Sequence, residues 1–202
     1  CEPYDLGIIQ DDLSETKKII LNSLSKYDLI ITTGGISTSK QDNVSKFFSS
    51  FGEIKFWRLA VKPGRPIAFG LLRNKPFIGL PGNPVAAIVT FLMLITDYLK
   101  QLSGNRNLEN IERFLPANFT MKKKVGRTEW LRGSIKIINN KQRLERFSKT
   151  GSGIISSISK SEGIIEIRED LEYIKKGTLL KFYRYEDILN WKFFILQNLG
   201  SF

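Results

Sequence analysis

Histidine is absent from this 202-residue chain. A Ser-His-Asp or Cys-His nucleophile, an imidazole general base and a His-ligated zinc are therefore excluded within it. Any metal it uses must be a hard cation held by carboxylates and phosphates. Cysteine occurs once, as Cys1, so no internal disulfide can form and a reducing, cytoplasmic compartment is expected. Long apolar runs are also missing. The longest lies within residues 85–95, about half of the roughly 20 residues that a membrane span needs, so no span is expected. Position 1 is Cys and no charged-then-apolar leader follows it, so the chain reads as a covered region of something longer.

What is present describes a folded chain of one large or two small domains, 42% hydrophobic, 11% aromatic and 25% charged. The net charge of +11 is unevenly placed: residues 1–100 hold 12 Lys/Arg against 9 Asp/Glu, residues 101–202 hold 19 against 11. A basic half attracts nucleic acid, anionic lipid or a small anionic substrate, or is simply a solvated face of an Ile- and Lys-rich chain.

The first hundred residues alternate strand and helix signals. Residues 6–9 are a short apolar run ending at Asp11-Asp12, and residues 13–25 have helical spacing with Ile19, Ile20 and Leu24 on one face. Residues 27–33 (YDLIITT) form the continuous β-branched run of a strand buried on both faces. A helix is expected over 44–51, strands over 56–61, 67–71 and 76–80, and a long helix over 85–100 with Asn83 as N-cap and Pro84 at its first position. This pattern predicts βαβ units and a parallel sheet. Near residues 103–107 the texture changes. Short alternating runs follow at 114–121, 130–138, 143–147, 164–167 and 179–183, punctuated by Gly and Asn, as in a small all-β domain. The expected division is an α/β domain over 1–103, a β domain over 104–184 and an apolar, helical tail over 185–202.

Three loops have the composition for chemistry. In residues 32–42 (TTGGISTSKQD), glycines after a strand leave backbone N–H groups to meet an anion, and Asp42 is placed to hold a magnesium ion beside it; a double glycine is more often just a tight turn. In residues 62–66 (KPGRP), two prolines and a glycine stiffen the backbone that carries Lys62 and Arg65, a point charge and a fork suited to an oxyanion; a stiff hairpin with charges facing water has the same sequence. In residues 79–87 (GLPGNPVAA), Asn83 and Pro84 explain a helix start, whereas Pro81 and Gly82 exceed what a cap requires. A rigid loop at the carboxyl end of a strand is where open α/β sheets bind ligands.

Taken together and in this spacing, DLIITTGGISTSKQDN, LAVKPGRPIAFG and FIGLPGNPVAAIVTF resemble the MoeA family of molybdopterin molybdenumtransferases, which includes the gephyrin E-type domains. LGIIQDD upstream, and GRTEWLRG and TGSGIISSISKSEGIIEI downstream, extend the resemblance over residues 6–182. It implies a three-layer, parallel-sheet α/β domain like that of MogA/MoaB-type proteins, followed by a small β domain. It implies magnesium-dependent insertion of molybdate into adenylylated molybdopterin with release of AMP. By motif, Asp11 and Asp42 match the acidic positions near metal and phosphates, and Lys62, Arg65 and Pro66 the molybdate-site loop. Arg132 and Ser152 match the opposite side of that pocket, while Gly34, Gly35 and Ser37 match the first loop and Pro81, Gly82, Asn83 and Pro84 the last. The family also implies a homodimer whose site borrows from a part ahead of residue 6, so these residues alone are expected to bind ligand without turning over. Neither nucleic acid nor membrane is an expected partner.

Two of these motifs depart from the family pattern. Ser39 and Lys40 stand where the first loop usually has a glycine and an acid, and Ala86 replaces a serine. The expectation is an active, retuned enzyme; the alternative is a degenerate relative that binds molybdopterin or acts as a scaffold.

Overall fold

A computed structural model of the chain describes residues 1–10, 12–35, 52–104, 111–148 and 154–189, without the side chains of Leu13, Phe56 and Trp57. Two compact units emerge. The first comprises the described residues of Cys1–Ala60 with Gly64–Ala87; the second comprises Val61–Pro63 and the described residues from Ile88 onward. The change of texture near residue 103 thus marks the end of a helix, whereas the units divide within that helix.

In the first unit, Asp12 opens helix α1 (Leu13–Leu24), its Oδ1 accepting from the Glu15 N–H at 2.7 Å and the Ser14 hydroxyl at 2.5 Å. Those bonds, Ser14 first, hold its carboxyl below the usual aspartate range. Residues 6–9 form no strand, and Ile8 is exposed. On the inner face of α1, Ile20 and Leu24 pack with Ile30, Ala68, Leu72 and Phe77.

That core backs a four-stranded sheet in the order β1 (Ile30–Thr33), β5 (Lys75–Leu80), β4 (Pro66–Leu72), β2 (Gly52–Arg58). Strands β1 and β5 run parallel, Ile30 opposite Phe77 through Thr33 opposite Leu80. The other two pairings are antiparallel, so the described sheet is mixed rather than all-parallel. The cause is local: β4 and β5 are joined by Arg73-Asn74 alone, both at positive φ (47° and 65°), and a two-residue left-handed turn folds strands back on each other. The run expected as one strand over 56–61 is divided, because β3 (Val61–Lys62) leaves this sheet for the other unit's.

Helix α2 (Pro84–Leu102) starts as an α-helix, takes a π turn over Phe91–Ile95 and resumes over Thr96–Leu102, where the Thr96 hydroxyl donates to the Leu92 carbonyl at 2.7 Å. By length and composition alone it is apolar enough to cross a membrane, contrary to the expectation from the run ending at Ile95, because it continues through Thr96, Tyr98 and Leu99. Its apolar side chains are used inside the protein: Val85 and Val89 are buried, and Leu92 packs with Tyr183 and Ile188.

The second unit, beyond the part of α2 that it includes, is described mainly by strands. Its main sheet runs β3, β8 (Thr128–Ile138), β10 (Gly163–Ile167), β12 (Leu179–Arg184), β6 (Arg113–Pro116), with β9 (Lys141–Arg146) also on β8. Strands β7 (Met121–Lys122) and β11 (Tyr173–Ile174) pair separately. Asn139 and Asn140, both at positive φ, close the β8–β9 hairpin. Gly133 is required by space: a Cβ there would meet the Ile165 side chain and the Glu145 carbonyl. The core is Ala117, Phe119, Leu144, Ile165, Ile167, Ile174, Leu180 and Phe182. Two short helices complete the unit, α3 (Ser156–Ser159) and α4 (Tyr185–Leu189), the latter tied to β6 by Arg113, whose Nη2 lies 3.1 Å from Asp187. Helix α4 is the described start of the predicted tail; the rest of that tail lies outside the described residues.

Two outcomes are expected. Phe77 is fully buried, and Phe77→Ala should cost about 3–5 kcal/mol of stability, read from denaturant unfolding. The Tyr185 hydroxyl is buried with no hydrogen-bond partner among the described residues, and burial raises its pKa from 10.0 to about 12 while Arg132 pulls it the other way. The neutral phenol is therefore favoured by the fold: its contribution is complete below pH 10 and is lost as pH rises through about 12. Between those values the unfolding midpoint of Tyr185→Phe should fall less steeply than that of the unaltered protein.

Candidate functional site

In the first unit the carboxyl ends of the parallel pair β1–β5 carry two of the three loops. The N–H of Gly34, one residue beyond β1, donates to the carbonyl of Leu80 at the end of β5 at 3.0 Å. Gly34 and Gly35 both have positive φ, 82° and 67°, which suits glycine. Gly34 also faces Gly82 closely: a Cβ on Gly82 would stand 3.4 Å from the Gly34 Cα. The double glycine and the LPGNP loop are thus neighbours, backbone beside backbone, with the positive φ of Gly34 the feature that disfavours a side chain there.

Asn83 then starts α2. Its Oδ1 accepts from the Ala86 N–H at 3.1 Å and its carbonyl from the Ala87 N–H at 2.9 Å. Pro81 is buried, whereas Gly82 and Pro84 are exposed. Exposed backbone at the start of a long helix, at the ends of parallel strands, is suited to a phosphate or another anion. Ser37 and Asp42 of the first loop, and Asp11 before α1, lie outside the described residues. Among the described residues no three Asp, Glu or Cys side chains gather as a metal site. Asp11 and Asp42, the acids that the family motifs point to for magnesium, are outside that described set.

The KPGRP loop leaves β3 through a cis Lys62–Pro63 bond, and the Arg65 carbonyl accepts from the Leu59 N–H at 3.1 Å. Arg65 and Pro66 are exposed. Lys62 belongs to the second unit, where its strand pairs in parallel with β8, Lys62 opposite Glu129. Its Nζ lies 3.4 Å from Glu129 Oε2. The other carboxylate oxygen takes both Nε and Nη2 of Arg127, at 3.0 and 2.8 Å. Glu129 is 1% exposed, while Lys62 is 56% and Arg127 37% exposed, so one buried carboxylate steadies two cations that still reach solvent. They border a cavity of about 750 Å³ whose rim includes Lys122, Lys123 and Lys124. Lys123 is itself buried, its ammonium donating to the carbonyls of Lys124, Arg127 and Glu169 at 3.1, 2.8 and 3.4 Å.

Arg132 is elsewhere. Successive residues of a strand face opposite sides, so Arg132 stands on the other face of β8 from Glu129 and its partner Lys62. It is buried, its Nε donates to the Ser157 hydroxyl at 3.1 Å, and burial lowers its pKa although Tyr185 opposes this. A guanidinium still keeps its proton there. Ser152 lies outside the described residues.

Sequence reasoning assigned no role to Arg127 and Glu129, although the motif GRTEWLRG contains both. The available signal was a lone acid between two arginines, Arg127 and Arg132, in an alternating run. Only the β3–β8 pairing, which joins residues 67 positions apart, reveals Glu129 as the partner of Lys62.

Comparison with known proteins covers both units. Residues 1–101 match the family profile described as "Probable molybdopterin binding domain", and residues 115–185 match that of the MoeA C-terminal region, domain IV. A molybdopterin molybdenumtransferase of Haemophilus influenzae is 36% identical over 180 residues, which cover 88% of this chain and 44% of that protein. Gephyrin of Dictyostelium discoideum is 32% identical over 115 residues, 49% of this chain and 16% of that protein. A solved structure of the MoeA molybdopterin biosynthesis protein of Pyrococcus horikoshii OT3 superposes with a TM-score of 0.69 at 26% identity, covering 91% of this chain and 42% of that one. The chain thus spans less than half the length of the Haemophilus relative. One profile takes in half of the chain and a second continues through the β unit, in a mixed α/β framework that solved relatives share: the chain belongs to the MoeA family of molybdenum cofactor biosynthesis.

Proposed function

We propose that this chain carries the substrate-facing part of a molybdopterin molybdenumtransferase, which inserts molybdate into adenylylated molybdopterin and releases AMP. The observation that carries the reading is the close approach of Gly34 to Gly82 at the carboxyl ends of β1 and β5, beside the start of α2. It offers backbone N–H groups and a helix N-terminus to the phosphates of the substrate. By the family motif, Lys62 and Arg65 are assigned to the molybdate dianion, whose charge theirs complements. Positioning and electrostatics of this kind need no imidazole, in keeping with a histidine-free chain.

The remaining parts of the proposal rest on the family motifs. Asp42 and Asp11 are assigned to the acidic positions, with magnesium as a requirement of turnover carried by Asp42. Ser37, Pro66, Pro81, Asn83, Pro84 and Ser152 are assigned to substrate. Arg132 is assigned to the molybdate pocket, and its place on the opposite face of β8 from Lys62 makes it the assignment most in need of a separate test. The full-length parent is proposed to be a cytoplasmic homodimer with a layered α/β domain around the mixed sheet, and to have neither nucleic acid nor membrane as partner.

The test is AMP release by the full-length parent protein supplied with adenylylated molybdopterin, molybdate and magnesium. Molybdate-dependent release is expected, and Asp42→Asn should lower it at least about tenfold without unfolding the protein. Absence of release from a folded dimer would instead favour a molybdopterin-binding scaffold, the reading that Lys40 in the first loop raises. Arg132→Ala should raise the molybdate concentration for half-maximal release about tenfold, the loss expected for one charge-assisted contact. An unaltered molybdate dependence removes Arg132 from the pocket.

A further inference from the structure

Glu129 is a carboxylate that core packing does not require. It lies in β8 two residues before Leu131, which packs on the core of the unit, and an apolar side chain at its position would continue that face. A buried acid with its counter-ions is commonly no more stabilising than an apolar replacement, so its presence points to position rather than stability. The geometry agrees. One oxygen is taken up by the fork of Arg127, and the second is turned to Lys62.

The two contacts differ in kind. The Arg127 bonds, at 3.0 and 2.8 Å, fix the carboxylate. The Lys62 contact, at 3.4 Å to an ammonium more than half exposed, draws Lys62 to one place while leaving it able to donate elsewhere. Strand β3 is only two residues long, so backbone pairing alone leaves the flexible lysine stem unfixed. The group of one acid and two bases keeps a net positive charge at the cavity edge, which an incoming dianion can use.

We infer that Glu129 is a positioning residue for oxyanion capture: its carboxylate, anchored by Arg127, presents the Lys62 ammonium to the molybdate that enters the cavity. The inference rests on the proposed reading of Lys62 as a molybdate contact.

The experiment uses the full-length parent protein and follows AMP release across molybdate concentrations. Glu129→Gln keeps size and an oxygen acceptor but loses the charge. It should raise half-saturating molybdate about tenfold and lower kcat by a smaller factor, with a steeper salt dependence because two uncompensated cations remain. Glu129→Asp, which keeps the charge but draws it back by one methylene, should show an intermediate rise and keeps the question answerable if the Gln variant does not fold. Combining Glu129→Gln with Lys62→Ala should add little to Lys62→Ala alone, since one acts through the other. A merely structural role predicts a lowered melting temperature and kcat with half-saturating molybdate and its salt dependence unchanged, and that result overturns the inference. Molybdate-dependent release that is indifferent to Lys62→Ala overturns it while leaving the enzyme reading intact. Absence of release from the unaltered parent removes both.

Discussion

Strand β8 is the member on which the second unit depends. Its eleven residues pair with β10, β9 and, at the amino end, with the two residues of β3. Backbone hydrogen bonds therefore fix the register of most of the sheet against one strand, and the pleat then sorts the charges. Glu129 is turned to the side of Lys62, whereas Trp130 and Arg132 face the other way. A slip of one residue would exchange the two faces, putting Arg132 among the apolar side chains and Glu129 out of reach of Lys62. Gly133 guards against such a change, because Ile165 and the Glu145 carbonyl occupy the space any side chain would need.

Electrostatics within that frame are decided by burial. A carboxylate 1% exposed carries a desolvation cost of several kcal/mol if alone, which the forked Arg127 contact and the lysine offset. The exposed pairs, such as Lys55 with Glu53 or Arg168 with Asp170, contribute at most about 1 kcal/mol each and organise nothing distant. The Glu129 group matters because it links segments far apart in the chain, holding the end of β3, where the KPGRP loop begins, to the strand that organises the β unit.

The first unit does something different: it brings two loop backbones together at the ends of parallel strands. Parallel pairing of β1 with β5 sets the ends of both strands level, and the loops that follow run beside each other at Gly34 and Gly82. The buried side of α1 and Phe77 hold this arrangement from beneath. Asp12, acidic like its neighbour and part of the same motif, spends its carboxylate on the helix cap and on Ser14.

Much of this was legible in the residues themselves. Asn83-Pro84 announced the start of α2, the glycines after YDLIITT announced the end of β1, and the shift to short alternating runs announced the β unit, because caps, turns and period-two alternation are local properties. Other features depend on contacts between distant segments. The mixed sheet follows from a turn at Arg73-Asn74 with no glycine to advertise it, and the end of α2 from residues beyond the apolar run. The sequence by itself determined where α1 and α2 begin, the glycine turn after β1 and the exclusion of imidazole chemistry within the chain, since composition and local spacing suffice for those. Only tertiary structure decided that Lys62 is held by Glu129, that Arg132 stands on the other face of β8 and that Gly34 meets Gly82, because strand register and pleat are set by pairing across the chain.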